Sequence, residues 1–299
     1  MELLRKGKVK EVYVDGDNLR FVFTDQISVF DKIIPTLISG KGSSLCMTSR
    51  FWFDKLSDMG IKTHLVSTPS SNEMIVRRFK VIERYTESVK GDHMIPLEFI
   101  VRYYVAGSLF DRLKSDKLDF RSLGFSKFPH YGERLPNPFF EVTTKFESYD
   151  RPLTRREAME ISGMDENLLD EAKELILKID SKIEDEVSKR GLIHVDGKKE
   201  LAITGEGELV VIDTFGTADE DRFWDAGDYS EGRINELSKE FVRNYYRSIG
   251  YHDELYEARE KGLPEPDIPP LPDNIREETE KLYRTMYTRI TGNEWTFGP

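Results

Sequence analysis

The stretch GLIHVDGKKELAITGEGELVVID, residues 191–213, contains three runs rich in β-forming residues. The second and third runs are separated by GEGE at 205–208. Glycines between two β-forming runs are typical of a hairpin turn. We therefore predict strands over LIHV, ELAIT and ELVVID, with the last two paired antiparallel.

The register of this hairpin predicts a pair of carboxylates. A turn centred on Glu206 and Gly207 places Glu200 directly opposite Asp213. Opposed carboxylates on one sheet face repel unless a cation or a shared proton lies between them. Carboxylates, water and phosphate oxygens are the ligands that Mg²⁺ prefers. The hairpin therefore indicates a magnesium site, whereas a turn longer by one residue would break this pairing.

The first 90 residues read mostly as antiparallel sheet. VKEVYV and LRFVFT flank DGDN at 15–18, which predicts a second hairpin. SSLCMTSRFWFDKLSD at 43–58 predicts a helix that opens on serine and is stopped by Gly60. THLVS and EMIVRRFKVIERY are further strand candidates. This combination predicts an α+β fold.

The middle of the chain mixes an unpatterned stretch with long helices. Residues 121–150 are rich in Pro, Gly and aromatics, which favours a long ordered loop. Apolar residues spaced by three and four over 165–189 predict an amphipathic helix ended by Gly191. A second helix is expected over 231–248, with Ile234, Leu237, Phe241 and Tyr245 facing inward.

A proline-rich linker, PEPDIPPLPDN, precedes a last helix over 275–290. Together with a change of composition at GDH, residues 91–93, this organisation predicts three parts. They are a sheet domain over 1–90, a larger α+β domain over 91–250, and a linker with a closing helix over 251–299.

Composition excludes several classes of protein. The 299 residues carry a formal charge of −11, which argues against a broad nucleic-acid surface. The one cysteine excludes an intrachain disulfide framework and a multi-cysteine metal site. No apolar run reaches the roughly 20 residues of a membrane span, and no signal peptide is recognisable. We expect a reduced, cytoplasmic protein without membrane or nucleic-acid partners.

Common catalytic motifs are missing from the sequence. It has no G-x-x-x-x-G-K-[ST] loop, no G-x-G-x-x-G, no G-x-S-x-G and no H-E-x-x-H. The remaining charged residues suit phosphate and Mg²⁺ chemistry without a Walker motif. Lys8 and Lys10 are two apart and would share a strand face, as in an anion site or a protected sheet edge. Asp25, Ser28 and Asp31 form either a binding cluster or a cap.

Two arginines and one polar run complete the candidates. Arg102 lies in an apolar stretch, where its charge needs an anionic partner, and the following AGS permits close backbone approach at Ser108. Arg222 lies in DEDRFWD, where its acidic neighbours alone could pair it. The run TTK at 143–145 offers hydroxyls and an ammonium group for phosphate.

These residues lie in blocks that closely resemble the SAICAR synthetase family, the phosphoribosylaminoimidazole-succinocarboxamide synthases. The blocks follow the family's order and are GKVKEVY, FTDQISVFDKIIPTLISGKG, IPLEFIVRYYVAGSL, VTTK followed by YDRPLT, GLIHVDGKKEL and VVIDTFGTADEDRFWD. The C-terminal PDNIREETEKLYRTMYTRITG is similar to the closing helix of the longer members.

The resemblance implies an activity and a fold. The activity joins L-aspartate to the carboxylate of carboxyaminoimidazole ribonucleotide (CAIR) and converts ATP to ADP and phosphate. The fold is related to ATP-grasp, and nucleotide lies between the sheet domain and the larger domain. A kinase on the same scaffold and a non-catalytic nucleotide-binding protein stay open as alternatives, as does a homodimer.

The resemblance also implies site residues. Those on the ATP side are Lys8 and Lys10, with Glu200 and Asp213 at ATP and Mg²⁺. Those on the substrate side are Asp31, Arg102, Ser108, Thr144, Lys145, Lys198 and Arg222. The resemblance gives catalytic roles to Lys10, Arg102 and Arg222. We expect Lys8, Lys10, Arg102, Lys145 and Arg222 to converge on one cleft, with the surplus acid on solvated helices such as 165–189.

One block departs from the family pattern. The family reads D-x-K-[apolar]-E-F-G where this chain has DGKKELA at 196–202, so Lys199 replaces an apolar residue. Asp196, Lys198 and Glu200 are retained. Thr214 follows Asp213 where many members carry glutamate.

Overall fold

The computed structural model describes residues 1–147 and 149–298. Its strands are β1 (Glu2–Lys6), β2 (Lys10–Asp15), β3 (Asn18–Phe23), β4 (Ser28–Val29), β5 (Lys32–Ile33), β6 (Leu65–Ser70), β7 (Glu73–Arg77), β8 (His93–Met94), β9 (Leu97–Tyr104), β10 (Arg134–Thr144), β11 (Leu192–Ile203), β12 (Leu209–Ile212) and β13 (Asp221–Asp225). Its α-helices are α1 (Lys41–Asp58), α2 (Gly107–Lys114), α3 (Arg155–Ser162), α4 (Glu166–Ser188), α5 (Ala226–Ser230), α6 (Glu240–Ser248), α7 (Tyr251–Glu260) and α8 (Asp273–Thr291).

The first sheet has the strand order β1-β2-β3-β7-β6, and all its pairs are antiparallel. The predicted β2–β3 hairpin is confirmed, with Asp15 paired to Asn18. Helix α1 begins two residues before the predicted start, because the Asp25 carboxylate accepts the Gly42 amide at 2.9 Å and caps it. Strand β7 ends at Arg77, so the prediction of strand up to residue 85 is wrong.

The second sheet has the order β10-β9-β11-β12, and β8 and β13 also pair with β11. The predicted loop over 121–150 is wrong, because β10 runs antiparallel to β9 within it. Its pairing is interrupted between Arg134 and Phe139, where Pro136 and Pro138 lie. Proline cannot donate to a ladder and is tolerated at a sheet edge, so the prolines obscured a genuine edge strand.

Strand β11 joins two segments that the sequence separates. LIHV and ELAIT form one strand through Asp196, Gly197 and Lys198. A side chain at Gly197 would collide with the Asp221 carboxylate. The intervening charged residues resemble a break in the β pattern, but each has a partner of opposite charge across the fold.

The predicted direct opposition of Glu200 and Asp213 is wrong. Glu200 pairs with Ile212, and the turn is closed by a hydrogen bond from the Thr204 amide to the Glu208 carbonyl. The turn is therefore longer than expected. Asp213 follows the end of β12 with a left-handed backbone, at φ 58°.

Helix α4 confirms the amphipathic helix predicted over 165–189. Asp165 caps it by accepting the Leu168 amide at 2.8 Å.

The prediction of a helix from residue 231 is wrong, because Glu236 bridges to Trp224 at the sheet and α6 starts only at Glu240. In α6 Val242 and Tyr246 are buried, while the predicted inward residues Ile234, Leu237, Phe241 and Tyr245 are partly buried and pack against the core.

One apolar cluster connects the parts of the chain, from Phe21 in the first sheet to Ile290 in α8. Helix α8 packs on α1, where Ser44 donates to the Tyr283 carbonyl at 2.8 Å.

The α+β class is confirmed. The boundaries 1–90, 91–250 and 251–299 stay a prediction, supported by the separation of the two sheets at residue 90. Within the two described ranges, no helix is long and apolar enough to cross a membrane.

Candidate active site

Strand β11 presents Asp196, Lys198 and Glu200 on one face, because alternate residues of a strand point the same way. The neighbouring strands place an arginine on each side of Asp196. Asp196 is in register with Arg102 on β9 and with Arg222 on β13. The antiparallel ladder alone therefore brings two guanidinium groups to one carboxylate.

A cavity of about 460 Å³ opens over this face. It brings together eight residues named from the sequence: Lys8, Ser28, Asp31, Arg102, Ser108, Asp196, Lys198 and Arg222. A second cavity of about 820 Å³ shares Arg102 and Ser108 with it. Arg102 therefore lies at the junction of the two.

Arg102 is held by three partners. Its Nε donates to Glu141 at 2.7 Å, and its two Nη atoms donate to Asp196 and to the Ser108 hydroxyl at 3.2 Å each. The side chain is buried. A guanidinium bonded in three directions has a fixed orientation, as binding a planar anion requires.

Arg222 is held more loosely. Its nearest carboxylates are Asp196 at 3.5 Å, Glu236 at 3.8 Å and Glu240 at 3.9 Å. None of them belongs to DEDRFWD, so the alternative that its sequence neighbours pair it is wrong. Its Nε is buried without a hydrogen-bond partner within the ranges that the structure describes. Arg222 therefore retains capacity to bind a ligand.

Lysines and carboxylates alternate beside the cavity. Lys145 lies 2.5 Å from Glu200, and Lys198 lies 3.3 Å from Glu200 and 2.8 Å from Glu98. Lys10 bonds Asp213. Burial acts to raise the pKa of Asp213, but the charges of Lys10, Lys145 and Lys198 hold it well below its usual range.

The two N-terminal lysines separate. Lys8 precedes β2, because the Gly7 amide donates to the Lys10 carbonyl and forms a turn there. The expectation that both lysines share a strand face is therefore wrong. Lys8 bonds Asp31 in the cavity, whereas Lys10 bonds Asp213. Of the five cations expected to converge, three line the cavity, while Lys10 and Lys145 lie at the adjoining carboxylates.

Thr144 is occupied by the backbone. Its hydroxyl accepts the Arg151 amide at 3.1 Å and donates to the Tyr149 carbonyl at 3.3 Å.

Phe30, Asp31 and Asp213 adopt positive φ values of 50°, 67° and 58°. Non-glycine residues in this conformation are strained, and such strain is concentrated at functional sites.

Sequence reasoning missed six charged residues near this site. Five of them line the cavity, namely Asp150, Asp219, Glu220, Lys239 and Arg243, and the sixth, Glu98, bonds Lys198. Lys239 and Arg243 are four residues apart, a spacing that would have indicated a shared helix face. Both residues fall within the helix predicted over 231–248, so this signal was available from the sequence.

The reverse face of β11 explains Lys199. This lysine is fully buried, where its ammonium group bonds Asp180 and lies 3.0 Å from Asp221. His194 bonds the same Asp221 oxygen at 2.7 Å. Two carboxylates therefore compensate the buried cation that departs from the family pattern, and they tie α4 and β13 to β11.

This arrangement gives a stability prediction. Lys199→Met leaves Asp180 and Asp221 as uncompensated buried acids, so we expect a loss of about 3–5 kcal/mol of unfolding free energy. Adding Asp180→Asn should recover part of this loss. Guanidinium unfolding measures both. A Lys199→Met variant as stable as the parent would contradict the assignment of Lys199 as the cation that Asp180 and Asp221 require.

Glu98 gives a pH prediction. Burial raises its pKa from 4.5 to about 7, although the charge of Lys198 opposes this shift. Folded Glu98 therefore holds its proton where the unfolded chain has lost it, and stability falls as pH rises from 4.5 to about 7. In Glu98→Gln, the free energy of unfolding measured with urea should fall less over this pH range. Glu174→Gln, on the exposed face of α4, should leave the fall unchanged. Parallel pH profiles for Glu98→Gln and the parent would contradict the prediction.

Comparisons with known proteins agree with this geometry. The family described as SAICAR synthetase matches residues 3–258. The phosphoribosylaminoimidazole-succinocarboxamide synthase of Thermoplasma acidophilum is 57% identical over 295 residues, which cover 99% of this chain and 100% of the relative. That of Thermoplasma volcanium is 55% identical over 295 residues, with 99% and 100% coverage.

Solved structures share the fold. The SAICAR-synthase of Saccharomyces cerevisiae complexed with SAICAR has a TM-score of 0.76 at 26% identity, covering 98% of this chain and 96% of that one. A type-2 SAICAR synthetase in complex with ADP has a TM-score of 0.71 at 26% identity, covering 98% and 99%. With sequence matches over nearly all its length, this chain belongs to the SAICAR synthetase family.

Proposed function

We propose that this chain is the ATP-dependent ligase that joins L-aspartate to the carboxylate of CAIR and releases SAICAR, ADP and phosphate in purine biosynthesis. The observation that carries the proposal is a match to the family over residues 3–258, in which Lys8, Arg102 and Arg222 line one cavity. The related structures that hold SAICAR and ADP support both the product and the nucleotide.

The reaction needs activation of a carboxylate, because oxide is a poor leaving group. In the proposed sequence, a CAIR carboxylate oxygen attacks the γ-phosphorus of ATP, and ADP leaves. The amine of aspartate then attacks the acyl phosphate, the C–O bond to phosphate breaks, and the amine loses a proton. Catalysis of this kind rests on positioning and on neutralising charge.

The site residues receive roles on this basis. We assign Lys8 and Lys10 to the ATP phosphates, and Arg102, Ser108 and Arg222 to CAIR. The fixed orientation of Arg102 and the long carboxylate contacts of Arg222, which lines the cavity, support the second assignment. Asp31, Thr144, Lys145 and Lys198 are assigned to the substrate side, where Lys145 and Lys198 also hold Glu200.

Glu200 and Asp213 fit a magnesium ion. Glu200 Oε2 is a buried oxygen without a hydrogen-bond partner in the described part of the chain, and an anionic oxygen of this kind is what a hard cation requires. Mg²⁺, when bound, neutralises negative charge on the phosphates of ATP. Because Lys10 and Lys145 already bond these carboxylates, they hold the two side chains in place.

The non-catalytic alternative loses its main support. It rested on Lys199, and the structure compensates this lysine with Asp180 and Asp221 on the reverse face of β11. The cavity face of the strand retains Asp196, Lys198 and Glu200. A relation to ATP-grasp, a cytoplasmic location and a homodimer stay predictions.

Omission assays test the function. ADP and SAICAR should form together only when ATP, CAIR, L-aspartate and Mg²⁺ are all present. Formation of SAICAR without aspartate, or no product with the full mixture, would refute the ligase. ADP release that requires CAIR but not aspartate would favour a kinase.

Arg222 gives a sharper prediction. Arg222→Met removes a charged partner of CAIR, so the KM for CAIR should rise about 10- to 100-fold, as expected for a hydrogen bond to a charged group. The KM for ATP should change much less in steady-state kinetics. Arg233→Met removes an exposed arginine bonded to Asp228 and Glu231, and it should leave both constants unchanged. Equal increases for CAIR and ATP in Arg222→Met would refute the assignment.

A further inference from the structure

Lys239 and Arg243 line the cavity but have no role in the assignments above. Lys239 directly precedes α6, and Arg243 lies one turn into this helix. Both line the same cavity as Lys198 and Arg222. The cavity therefore has a second group of cations, supplied by α6 and the residue before it, and Glu240 lies between Arg243 at 3.1 Å and Arg222 at 3.9 Å.

Among the described residues, no carboxylate lies close enough to Lys239 to form an ion pair. Within residues 1–147 and 149–298, its ammonium group forms no ion pair, and its hydrogen-bond partner is the Ser28 hydroxyl at 3.4 Å. The nearby Asp219 is already bonded by Lys41 at 2.8 Å and by Tyr283. A desolvated ammonium group without a counterion gains free energy when an anion arrives.

The electrostatic surroundings of Lys239 agree with this. Burial lowers the pKa of Lys239 to about 8, and the positive charges of Lys41 and Arg243 act in the same direction. Asp219 and Glu220 oppose the shift. A bound carboxylate would act in the same direction as Asp219 and Glu220 and would favour the charged ammonium form of Lys239.

Arg243 has donors available for a ligand. Its Nη1 bonds Glu240 at 3.1 Å, and the described part of the chain gives it no second carboxylate. Glu240 is also bonded by Arg247, which lies one turn further along α6. Arg243 can therefore bind a ligand without leaving Glu240 uncompensated.

The same cavity holds acidic groups as well. Asp31 and Glu220 line it together with Lys239 and Arg243. Carboxylates this close repel a dianionic phosphate, but they attract an ammonium group. A lining with both signs of charge suits a zwitterion that carries an extra carboxylate.

We propose that Lys239 and Arg243 bind the carboxylates of L-aspartate, whose ammonium group then faces Asp31 and Glu220. This inference rests on the proposed function, and it adds the subsite for the amino acid. It gives the two substrates different residues, because Arg102, Ser108 and Arg222 are assigned to CAIR.

Steady-state kinetics of two variants test the subsite. In Lys239→Met and in Arg243→Gln, the KM for aspartate should rise at least about tenfold, a loss of about 1.4 kcal/mol of binding free energy. The KM values for ATP and CAIR should stay near those of the parent. Lys239→Arg keeps the charge and should recover much of the affinity, which a purely structural defect would not allow.

Arg247→Gln is the matched control. It removes an arginine from the same helix and from the same Glu240, but Arg247 does not line the cavity. Its KM for aspartate should equal that of the parent. An equal increase in Arg243→Gln and Arg247→Gln would assign the effect to the Glu240 ion pairs and overturn the proposal.

Equilibrium dialysis with radiolabelled L-aspartate separates the two levels of inference. Binding by the parent that is lost in Lys239→Met supports the subsite, even if no SAICAR forms and the proposed function fails. SAICAR formation with unchanged aspartate binding in both variants overturns the subsite and leaves the function intact. If the KM of the two variants rose for CAIR and not for aspartate, Lys239 and Arg243 would bind the phosphate of CAIR. This result would also overturn the proposal.

Discussion

Charge pairing on β11 is the constraint on which the rest of this structure depends. The strand lies at the centre of the second sheet and carries ionisable side chains on both faces. On one face Asp196, Lys198 and Glu200 meet charges from β9, β13 and the segment after β10. On the other, Lys199 meets Asp180 and Asp221. Unpaired buried charges would be too costly, so β9, β13, α4 and the segment after β10 must supply partners.

The same pairing prepares the cavity for polyanionic ligands. A guanidinium that is already oriented by protein carboxylates need not reorganise when substrate arrives, and such preorganisation is the main source of electrostatic catalysis. It also resolves how a chain with a charge of −11 can bind nucleotides. The surplus acid on α4 lies on its exposed face, as predicted, at Glu166, Asp170, Glu171, Glu174 and Asp185.

Local patterns predicted much of the fold. The β2–β3 hairpin, the body of α1 and α4 depend on turn residues, apolar spacing and, in α4, a cap, which neighbours in sequence supply. Strand β10 was missed because its prolines are tolerated only at a sheet edge, and an edge is defined by the partner strand. The start of α6 was missed because a bridge between Trp224 and Glu236 holds the preceding segment at the sheet.

By itself, the sequence determined the α+β class, the family and the residue types of the site, because motif order and apolar periodicity are properties of the chain. Tertiary structure alone decided which charges meet. It set Glu200 opposite Ile212, gave Lys199 its two carboxylates and, among the described residues, left Lys239 facing the cavity without an ion pair. The physical reason is that a charge is satisfied by whatever the fold brings within a few ångströms, and residues far apart in sequence supply those partners.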